Sequence, residues 1–415
     1  MPQLLAAAEG RIVSAFLQPQ PDDTVPRFAY ESYLAALTGK SPHWPTSTRS
    51  ISQLRLSLKV QQRGLLAGMR GLKTVHIDIV DYPGEWLLDL PLLNLSYAEW
   101  STQALELARS QSRASLAEDW LAQLEVCDPT AELDEPRAQE LAKGFTSYLS
   151  TSREAGFSAC ALGRFLLPGD LEGSPVLTFC PLERPEKPRS KMLYAEFERR
   201  FESYKRKVVK PFFRDHFAKI DRQIVLVDTL GAIHAGPQAV EDLRGAMGDI
   251  LTSFRPGKNT WLSKVIRKRV EKILFVATKA DHLHHKQHTQ LTAIMQAMLR
   301  DAKDRADFKG AKTSAMSIAS LRATVEQTVT HDGAPLDLVR GTLLETGKVA
   351  AMHAGELPQD PAHLLTPARQ GATEWLEADF DVMRFAPPVL TRKPGDGLPH
   401  IRLDKVAEFL IGDRL

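Results

Sequence analysis

The chain contains 415 residues, of which 43% are hydrophobic and 25% are charged. These values are typical of a soluble globular protein, and the length is sufficient for a domain of about 200 residues with a second or inserted lobe. The formal net charge of +2 excludes an overall basic protein, so an acidic partner would have to be recognised by a local patch.

Three cysteines, Cys127, Cys160 and Cys180, lie far apart and without C-x-x-C spacing. This spacing argues against a metal cluster or a disulfide framework and is compatible with a reducing cytoplasm. No apolar run approaches the roughly 20 residues that span a bilayer, and no signal peptide opens the sequence. The sequence therefore predicts a cytoplasmic protein.

The first part of the chain is predicted to contain two helices and a β-hairpin. Apolar residues at helical spacing predict helices over residues 2–17 and 28–37, and a polar loop follows them. Residues 54–60 alternate between apolar and polar side chains, and residues 74–80 form a second apolar segment after a Gly-containing connection. The two segments predict a pair of hairpin strands.

The second of these strands ends at Asp81, in the sequence DYPGE. Asp81-x-x-Gly84 has the form of the switch II or Walker B element, in which the Asp holds Mg²⁺ through water and the Gly lets a backbone N–H approach the terminal phosphate. A turn that begins at Asp and contains Pro and Gly explains the same residues without a ligand.

Residues 87–222 are predicted to form a large helical lobe, because apolar residues recur at intervals of three and four. Its last helix, within residues 191–219, is strongly basic, and Glu and Asp residues are interleaved with the Lys and Arg residues. We favour a solvated, ion-paired helix face. The alternative is a patch that binds an acidic lipid surface or a partner protein.

A strand predicted at residues 223–227 ends in Asp228-Thr229-Leu230-Gly231, which repeats the D-x-x-G form. We assign the metal role to Asp81, because Asp81 follows a polar loop and a hairpin in the order switch I, strand, strand, switch II. Asp228 then marks the next parallel strand and caps the segment that follows. Helices are predicted at residues 237–254 and 261–271.

The segment KILFVATKAD, residues 272–281, is an apolar run that ends in Thr278-Lys279-Ala280-Asp281. The run is typical of a strand buried on both faces, and the polar residues follow at its carboxyl end, where open α/β sheets bind ligands. In P-loop GTPases, T/N-K-x-D at this place reads guanine. A carboxylate at Asp281 can accept hydrogen bonds from guanine N1–H and N2–H₂, which adenine lacks, while the aliphatic stem of Lys279 lies along the base. A surface loop with Lys and Asp is the alternative.

Four histidines follow directly: His282, His284, His285 and His288. A metal site is conceivable because His284 and His288 lie four apart on a predicted helix. With no third ligand apparent in the sequence, we favour a solvent-facing helix start.

The last sheet strand is predicted at residues 311–318, after a helix at 291–299. Its Thr313-Ser314-Ala315 is the small-residue element that we expect to contact guanine O6 through backbone N–H groups. Residues 341–351 and 386–390 are predicted to add edge strands, and residues 405–410 a short terminal helix.

A guanine-nucleotide enzyme needs G-x-x-x-x-G-K-[ST], because backbone N–H groups must cradle the phosphates. The sequence contains no match. Gly39-Lys40-Ser41 has Leu34 in place of the first Gly, and GMRGLKT, residues 68–74, has Leu72 before the Lys. We reject both.

The sequence resembles the YcjX-like family of bacterial P-loop GTPases over essentially its whole length. Five segments carry the resemblance: WPTST before the ISQLRLSL strand, DYPGEWLLDLPLL, VVKPFFRDHFAKIDRQIVLVD, TKAD, and the closing LPHIRLDKVAEFLIGDRL. It implies an α/β fold, a Ras-like P-loop NTPase three-layer sheet with a large helical insertion. Residues 1–86 would be an incomplete N-terminal part of the nucleotide-binding domain, 87–222 the insertion, 223–330 its C-terminal part, and 331–415 an extension.

Family members carry the phosphate-binding loop just ahead of where this sequence starts. We therefore expect the first strand, the loop and part of the first helix to be missing here, through an internal start or a truncation. We predict that the chain as given binds GTP weakly or not at all.

The resemblance also implies roles for individual residues toward GTP or GDP and Mg²⁺. Thr48 would be the switch I threonine near Mg²⁺, with Thr46 as a close rival. The remaining assignments are Asp81 on Mg²⁺ through water, Gly84 at the γ-phosphate, Glu85 positioning water, and the base pocket formed by Thr278, Lys279, Asp281, Ser314 and Ala315. A carboxylate at Glu85, where Ras-type enzymes have Gln, predicts slow hydrolysis.

Two functions follow from these patterns. The first is a GTP-binding regulatory switch whose helical lobe reports the nucleotide state. The alternative is a non-catalytic interaction protein or membrane-peripheral scaffold that uses the basic helix as its contact. Nucleic-acid binding is poorly supported, because the charge is balanced and the basic helix lacks interleaved aromatic side chains.

Overall fold

The structure is a computed structural model that describes residues 2–63, 71–187, 189–253, 270–300, 311–375, 380, 382–390 and 397–415. The chain divides into two compact units. The first unit comprises Met1–Asp81, Asp221–Pro237 and Val270–Leu415, and the second comprises Tyr82–Ile220 and Gln238–Arg269. The basic helix predicted at residues 261–271 falls almost entirely outside the described residues.

The first unit contains both helices and strands, and helices predominate in the second. The α-helices are α1 (Leu5–Ala8), α2 (Tyr30–Thr38), α3 (Tyr97–Ala108), α4 (Ala114–Glu125), α5 (Glu135–Glu154), α6 (Gly163–Leu166), α7 (Leu193–Tyr204), α8 (Lys210–Asp215), α9 (Thr229–Ala235), α10 (Pro237–Ser253), α11 (His288–Met298), α12 (Ala362–Arg369) and α13 (Leu403–Ile411). The strands are β1 (Ile12–Gln18), β2 (Ser52–Gln61), β3 (Leu72–Asp81), β4 (Arg222–Val227), β5 (Lys272–Ala277), β6 (Lys312–Ser317), β7 (Val325–His331), β8 (Ala334–Thr342) and β9 (Val349–Met352).

Strands β1, β2 and β3 form an antiparallel sheet in that order. The predicted hairpin is present, and Asp81 is the last residue of β3, paired with Ser52. The helix predicted over residues 2–17 is wrong for its second half, which is β1. Gly10 has a φ of +66°, which ends the helical path, and apolar residues four apart such as Ile12 and Phe16 also lie on one face of a strand.

Strands β4, β5 and β6 form a parallel sheet with β5 in the centre. Residues 273–277 of β5 are buried, as the apolar run predicted. On one face, Leu274 and Val276 pack in a cluster with Val406 of α13. The parallel register aligns the carboxyl ends, because Val227 pairs with Ala277 and Ala277 with Ser317. The residues that follow the three strands therefore emerge at one edge of the sheet.

The third sheet is antiparallel and consists of β7, β8 and β9. The single edge strand predicted over residues 341–351 is wrong, because that segment is divided between the end of β8 and the start of β9 by a turn. The strand predicted at residues 386–390 is also absent from the described chain, where an isolated bridge joins Leu343 to Phe385. The turn between β8 and β9 contains Gly347, whose φ of +66° is typical of a turn.

The second unit is helical and has an aromatic core. Trp100 stacks on Phe201 with ring centroids 5.0 Å apart, and Trp120 stacks on Tyr148 at 5.4 Å. Helix α10 is fixed to this unit by Asp242, which forms a 2.5 Å ion pair with the buried guanidinium of Arg113. None of the helices in the described segments is long and apolar enough to cross a bilayer.

Candidate functional site

The loop after β5 contains Thr278, Lys279 and Asp281. Lys279 has left-handed backbone geometry, with φ of 58°, which is uncommon for a residue with a side chain. Its Nζ lies 2.6 Å from Oδ2 of Asp228, the residue that follows β4. The other carboxylate oxygen of Asp228 accepts a 3.0 Å hydrogen bond from Gly231 N–H and caps α9. The two strand ends are therefore joined by a Lys–Asp pair.

Asp281 is 4% exposed and held by the segment after β6. Its Oδ2 accepts a 2.8 Å hydrogen bond from the backbone N–H of Ala323. The hydroxyl of Thr324 donates to the backbone carbonyl of Asp281. Among the described residues, no hydrogen bond is made to Oδ1. The carboxylate is consequently fixed in direction and keeps acceptor capacity.

Ser314 and Ala315 lie within the last strand of the parallel sheet, as the sequence analysis predicted. They are inside β6, opposite Leu274 and Phe275, and the strand continues to Ser317. At the aligned edge, the N–H of Ile318 donates to the carbonyl of Ala277 at 2.9 Å. The part of the chain that meets the Asp281 loop follows this strand, from Ile318 to Ala323. The contact of Ser314 and Ala315 with guanine O6 stays a prediction.

Thr48 and Asp81 form a second group in the first unit. The Thr48 hydroxyl donates a 2.8 Å hydrogen bond to Asp81 Oδ2, which joins the loop before β2 to the end of β3. Thr48, rather than its rival Thr46, is therefore the threonine beside the predicted metal-binding carboxylate. Asp281 and Asp81 follow strands of different sheets.

Gly84 and Glu85 begin an irregular 3₁₀ segment of the second unit, Gly84–Asn94. The Glu85 carboxylate forms an ion pair with Arg153. The backbone of Glu85 is in close contact with Gly163, where a Cβ would overlap the Glu85 carbonyl oxygen. The same segment is fixed by buried Asp89, which accepts hydrogen bonds from Gly163 N–H at 2.7 Å and from the Tyr204 hydroxyl at 2.5 Å.

Comparison with known proteins gives a consistent result. The family model described as "YcjX-like family, DUF463" matches residues 1–415. The chain is 38% identical over 425 residues to a protein of Escherichia coli K12 named "Ras-like GTPase YcjX", covering 100% of this chain and 89% of the relative. A Shewanella oneidensis protein of the same name is 34% identical over 427 residues, covering 100% of this chain and 86% of that relative.

The chain belongs to the YcjX-like family. This membership confirms the resemblance on which the sequence analysis relied. Both relatives are named as GTPases, which supports a GTPase family. The mixed α/β structure with several sheets agrees with that family.

Sequence reasoning missed several partners in this YcjX-like protein. Asp228 was recognised as a second D-x-x-G aspartate, but its pairing with Lys279 depends on the parallel alignment of β4 and β5. The N–H of Ala323 leaves no trace in a sequence pattern, because any residue except Pro could donate it. Arg153 lies in an ordinary amphipathic helix and gives no local signal.

The histidine segment differs from its prediction. It does not start a solvent-facing helix, because His282, His284 and His288 are buried and α11 begins only at His288. His288 Nε2 lies 2.8 Å from the carbonyl oxygen of Ala280, and burial lowers its pKa. His282 packs edge-on against Phe385 with ring centroids 5.2 Å apart, and burial lowers its pKa too. The prediction that His284 and His288 lie on one helix is therefore wrong.

The basic segment 191–219 is extensively ion-paired within the second unit. Arg199 and Arg200 both contact Glu196, at 2.6 and 2.9 Å, and Lys205 lies 2.8 Å from Glu202. These pairs favour a charge-neutralised helix face over a cationic docking patch. Binding to a membrane or to a protein through this segment remains a prediction.

Proposed function

We propose that this protein is a guanine-nucleotide-binding switch with a Ras-like three-layer nucleotide domain. The observation that carries the proposal is the buried carboxylate of Asp281, fixed at the carboxyl end of the central strand β5. Guanine would be selected by Asp281, and the stem of Lys279 would lie along the base beside Thr278. The relatives named "Ras-like GTPase" support the same class of ligand.

The contacts of Asp281 suit the selection of a purine by hydrogen bonding. One carboxylate oxygen is oriented by Ala323 N–H, and a buried acceptor that loses its partner costs about 1–3 kcal/mol. Guanine offers two N–H donors on adjacent atoms, whereas adenine offers none at the corresponding positions. Adenine would therefore leave the free acceptor of the buried Asp281 carboxylate without a hydrogen bond, whereas guanine would supply one.

Thr48 and Asp81 fit the proposed Mg²⁺. Their oxygen atoms are 2.8 Å apart, and hydroxyl and carboxylate oxygens are ligands of the hard type that Mg²⁺ prefers. Asp81 would act through a water molecule and Thr48 directly. When bound, the ion would neutralise phosphate charge, while Gly84 would present its backbone N–H to the γ-phosphate.

Hydrolysis is proposed to be slow. Glu85 would have to position water beside a triphosphate, although it is negatively charged and already paired with Arg153. We expect slow turnover, with selectivity for the base.

The test is a change of base preference in Asp281→Asn. Xanthine carries a carbonyl oxygen where guanine carries the N2 amine, so an Asn amide can donate to xanthine as Asp281 accepts from guanine. GDP and XDP binding are measured by equilibrium dialysis at high protein concentration. We expect wild type to favour GDP over both XDP and ADP, and Asp281→Asn to lose at least about tenfold in that GDP-to-XDP preference, the effect of roughly one hydrogen bond to a charged group.

Asp228→Asn is the matched control, since it alters an aspartate of the same edge that pairs with Lys279 and has no proposed contact with the base. It is expected to keep the preference for GDP over XDP. Equal binding of GDP and ADP by wild type, or an unchanged preference in Asp281→Asn, would contradict the assignment.

A further inference from the structure

Two histidines and two carboxylates converge beside the loop that carries Asp281. His284 Nε2 lies 3.8 Å from Glu326 Oε2, and His285 Nδ1 lies 2.6 Å from the same oxygen. One nitrogen or oxygen of each of these three side chains lies within 4.8 Å of the others. The group is formed by a loop after β5 and by strand β7, so it cannot be recognised from spacing in the sequence.

His284 is the unusual member of this group. Its side chain is 7% exposed, yet its Nδ1 makes no hydrogen bond to any described residue. That nitrogen lies 3.8 Å from Asp337 Oδ2. The buried imidazole lies between two carboxylates, with one carboxylate oxygen 3.8 Å from each ring nitrogen. A metal-ligating histidine also has a carboxylate behind its second nitrogen, at hydrogen-bond distance, so a small shift of Asp337 toward Nδ1 would complete that arrangement.

The carboxylates are held in fixed orientations by their neighbours. Arg322 Nη2 lies 3.2 Å from Glu326 Oε1, which turns Oε2 toward the two imidazoles. Thr328 donates a 2.7 Å hydrogen bond to Asp337 Oδ1, and Thr328 and Asp337 are paired across β7 and β8. Because paired residues share one face of the sheet, Glu326 and Asp337 project on the same side.

We propose that His284 Nε2, His285 Nδ1 and Glu326 Oε2 bind a divalent transition-metal ion of the Zn²⁺ type, with Asp337 orienting His284. Two imidazoles and one carboxylate suit Zn²⁺ and disfavour Mg²⁺, which prefers an all-oxygen shell. Ligand atoms at about 2.1 Å from a tetrahedral Zn²⁺ lie about 3.4 Å apart. The separations from Glu326 Oε2, 2.6 and 3.8 Å, lie on either side of this value, and the 2.6 Å contact is a hydrogen bond that the metal would replace.

Bound metal would join the same two segments that orient Asp281. The Asp281 carboxylate and carbonyl are held by Ala323 and Thr324, and Glu326 lies two residues beyond Thr324. The metal would thus link the loop after β5 to the start of β7. Its ligands are separate from the residues proposed above to bind Mg²⁺.

The experiment uses the full chain, freed of metal with a chelator and titrated with Zn²⁺ in competition with a chromophoric chelator. We expect one tight equivalent, and at least about a tenfold loss of affinity in His285→Ala and Glu326→Gln and a smaller loss in Asp337→Asn. His363→Ala removes an exposed imidazole of α12 and serves as the control, with unchanged affinity.

A gain of affinity provides a second measurement that misfolding cannot imitate. Lys286 Nζ lies 2.6 Å from Asp337 Oδ2, so Lys286→Met removes a cation from the immediate surroundings and should tighten Zn²⁺ binding severalfold. Co²⁺ in the same site should give a visible spectrum of nitrogen and oxygen ligation without thiolate bands. Absence of a tight Zn²⁺ equivalent in wild type, or Zn²⁺ affinity that His285→Ala and Glu326→Gln leave unchanged, overturns the proposal. Displacement of Zn²⁺ by a hundredfold excess of Mg²⁺ does so as well.

Discussion

The ionisation of Asp89 depends on its burial and on the groups that it contacts in the fold. It is 2% exposed and lies among the groups that fix the 3₁₀ segment after Gly84. Burial raises its pKa to about 6, and the hydrogen bonds from Tyr204, Gly163 and Arg164 oppose that rise only in part. At neutral pH the carboxylate is therefore ionised at an energetic cost.

The first prediction concerns the pH dependence that follows. Because the folded-state pKa of Asp89 is above its unfolded value of 3.8, its favourable contribution is complete below about pH 4 and is lost as pH rises through about 6. Asp89→Asn keeps an acceptor for Gly163 N–H and offers a donor to Tyr204, but it does not titrate. Between about pH 4 and pH 7, the unfolding free energy of wild type should fall by roughly 2 kcal/mol relative to Asp89→Asn.

Urea unfolding of both proteins at several pH values measures this difference. A difference between the two that stays constant with pH would show that Asp89 keeps its ordinary pKa in the fold.

At the site, the sequence identified the residue types and missed most of their partners. Asp281, Lys279 and Asp81 stand out because charged or polar side chains follow apolar strands. Ser314 and Ala315 were correctly placed in a strand, because β6 ends within one residue of the predicted end. The pairing of Lys279 with Asp228 and of Asp281 with Ala323 depends on strand register, which a linear pattern does not contain.

Among the elements, the segment Gly84–Asn94 depends on close backbone packing in the second unit. Gly163 begins α6 and lies directly against the carbonyl of Glu85. Asp89 then binds the N–H groups at the start of the same helix, at 2.7 Å for Gly163 and 3.4 Å for Arg164. Two features thus fix this segment: the hydrogen bonds of the Asp89 carboxylate, and the close backbone contact at Gly163 that is possible because glycine has no side chain.

The second prediction is that Gly163→Ala destabilises this unit by about 3 kcal/mol, the upper end for overpacking, because the added methyl meets backbone atoms that cannot rotate away. The measurement is the denaturant midpoint of unfolding together with near-UV absorption of the aromatic core. Gly245→Ala, in helix α10 with open space at the new methyl, is the control and should stabilise by about 1 kcal/mol. Equal effects of the two substitutions would refute the packing argument.

Helices and strands were predicted well where the spacing of apolar residues fits one type of element. They were predicted poorly where the spacing fits both a helix and a strand. The buried run of β5 and the alternation in β2 each match one template. Residues 12–18 match both a helix and a strand, and their pairing with β2 decides in favour of the strand. The turn between β8 and β9 was missed, because short strands with polar ends differ little from loops.

At the scale of the whole molecule, the parallel sheet of the first unit is covered unequally. Leu274 and Val276 lie under α13, whereas their neighbours in register on β4, Ile224 and Leu226, are 38% and 61% exposed. Large apolar side chains exposed on a sheet face favour association with other chains.

The third prediction is that Leu226→Thr lowers concentration-dependent self-association without lowering stability by more than about 0.5 kcal/mol, since the side chain is exposed and the β-branched Thr suits a strand. Sedimentation velocity over a range of concentrations measures association, and thermal unfolding measures stability. Val225→Thr, on the buried face of the same strand, should instead destabilise the protein by about 1–3 kcal/mol. Unchanged sedimentation of Leu226→Thr would show that this face does not mediate association.

The order in which the sheet is assembled has a consequence for biosynthesis. Strand β5 is translated well before β6, and the helix that shields Leu274 and Val276 emerges later still, after the whole of the third sheet. While the ribosome is still adding those residues, the apolar face of the central strand is exposed to water. Contacts between segments so distant in sequence form slowly. Nascent chains should therefore require chaperone protection during this interval.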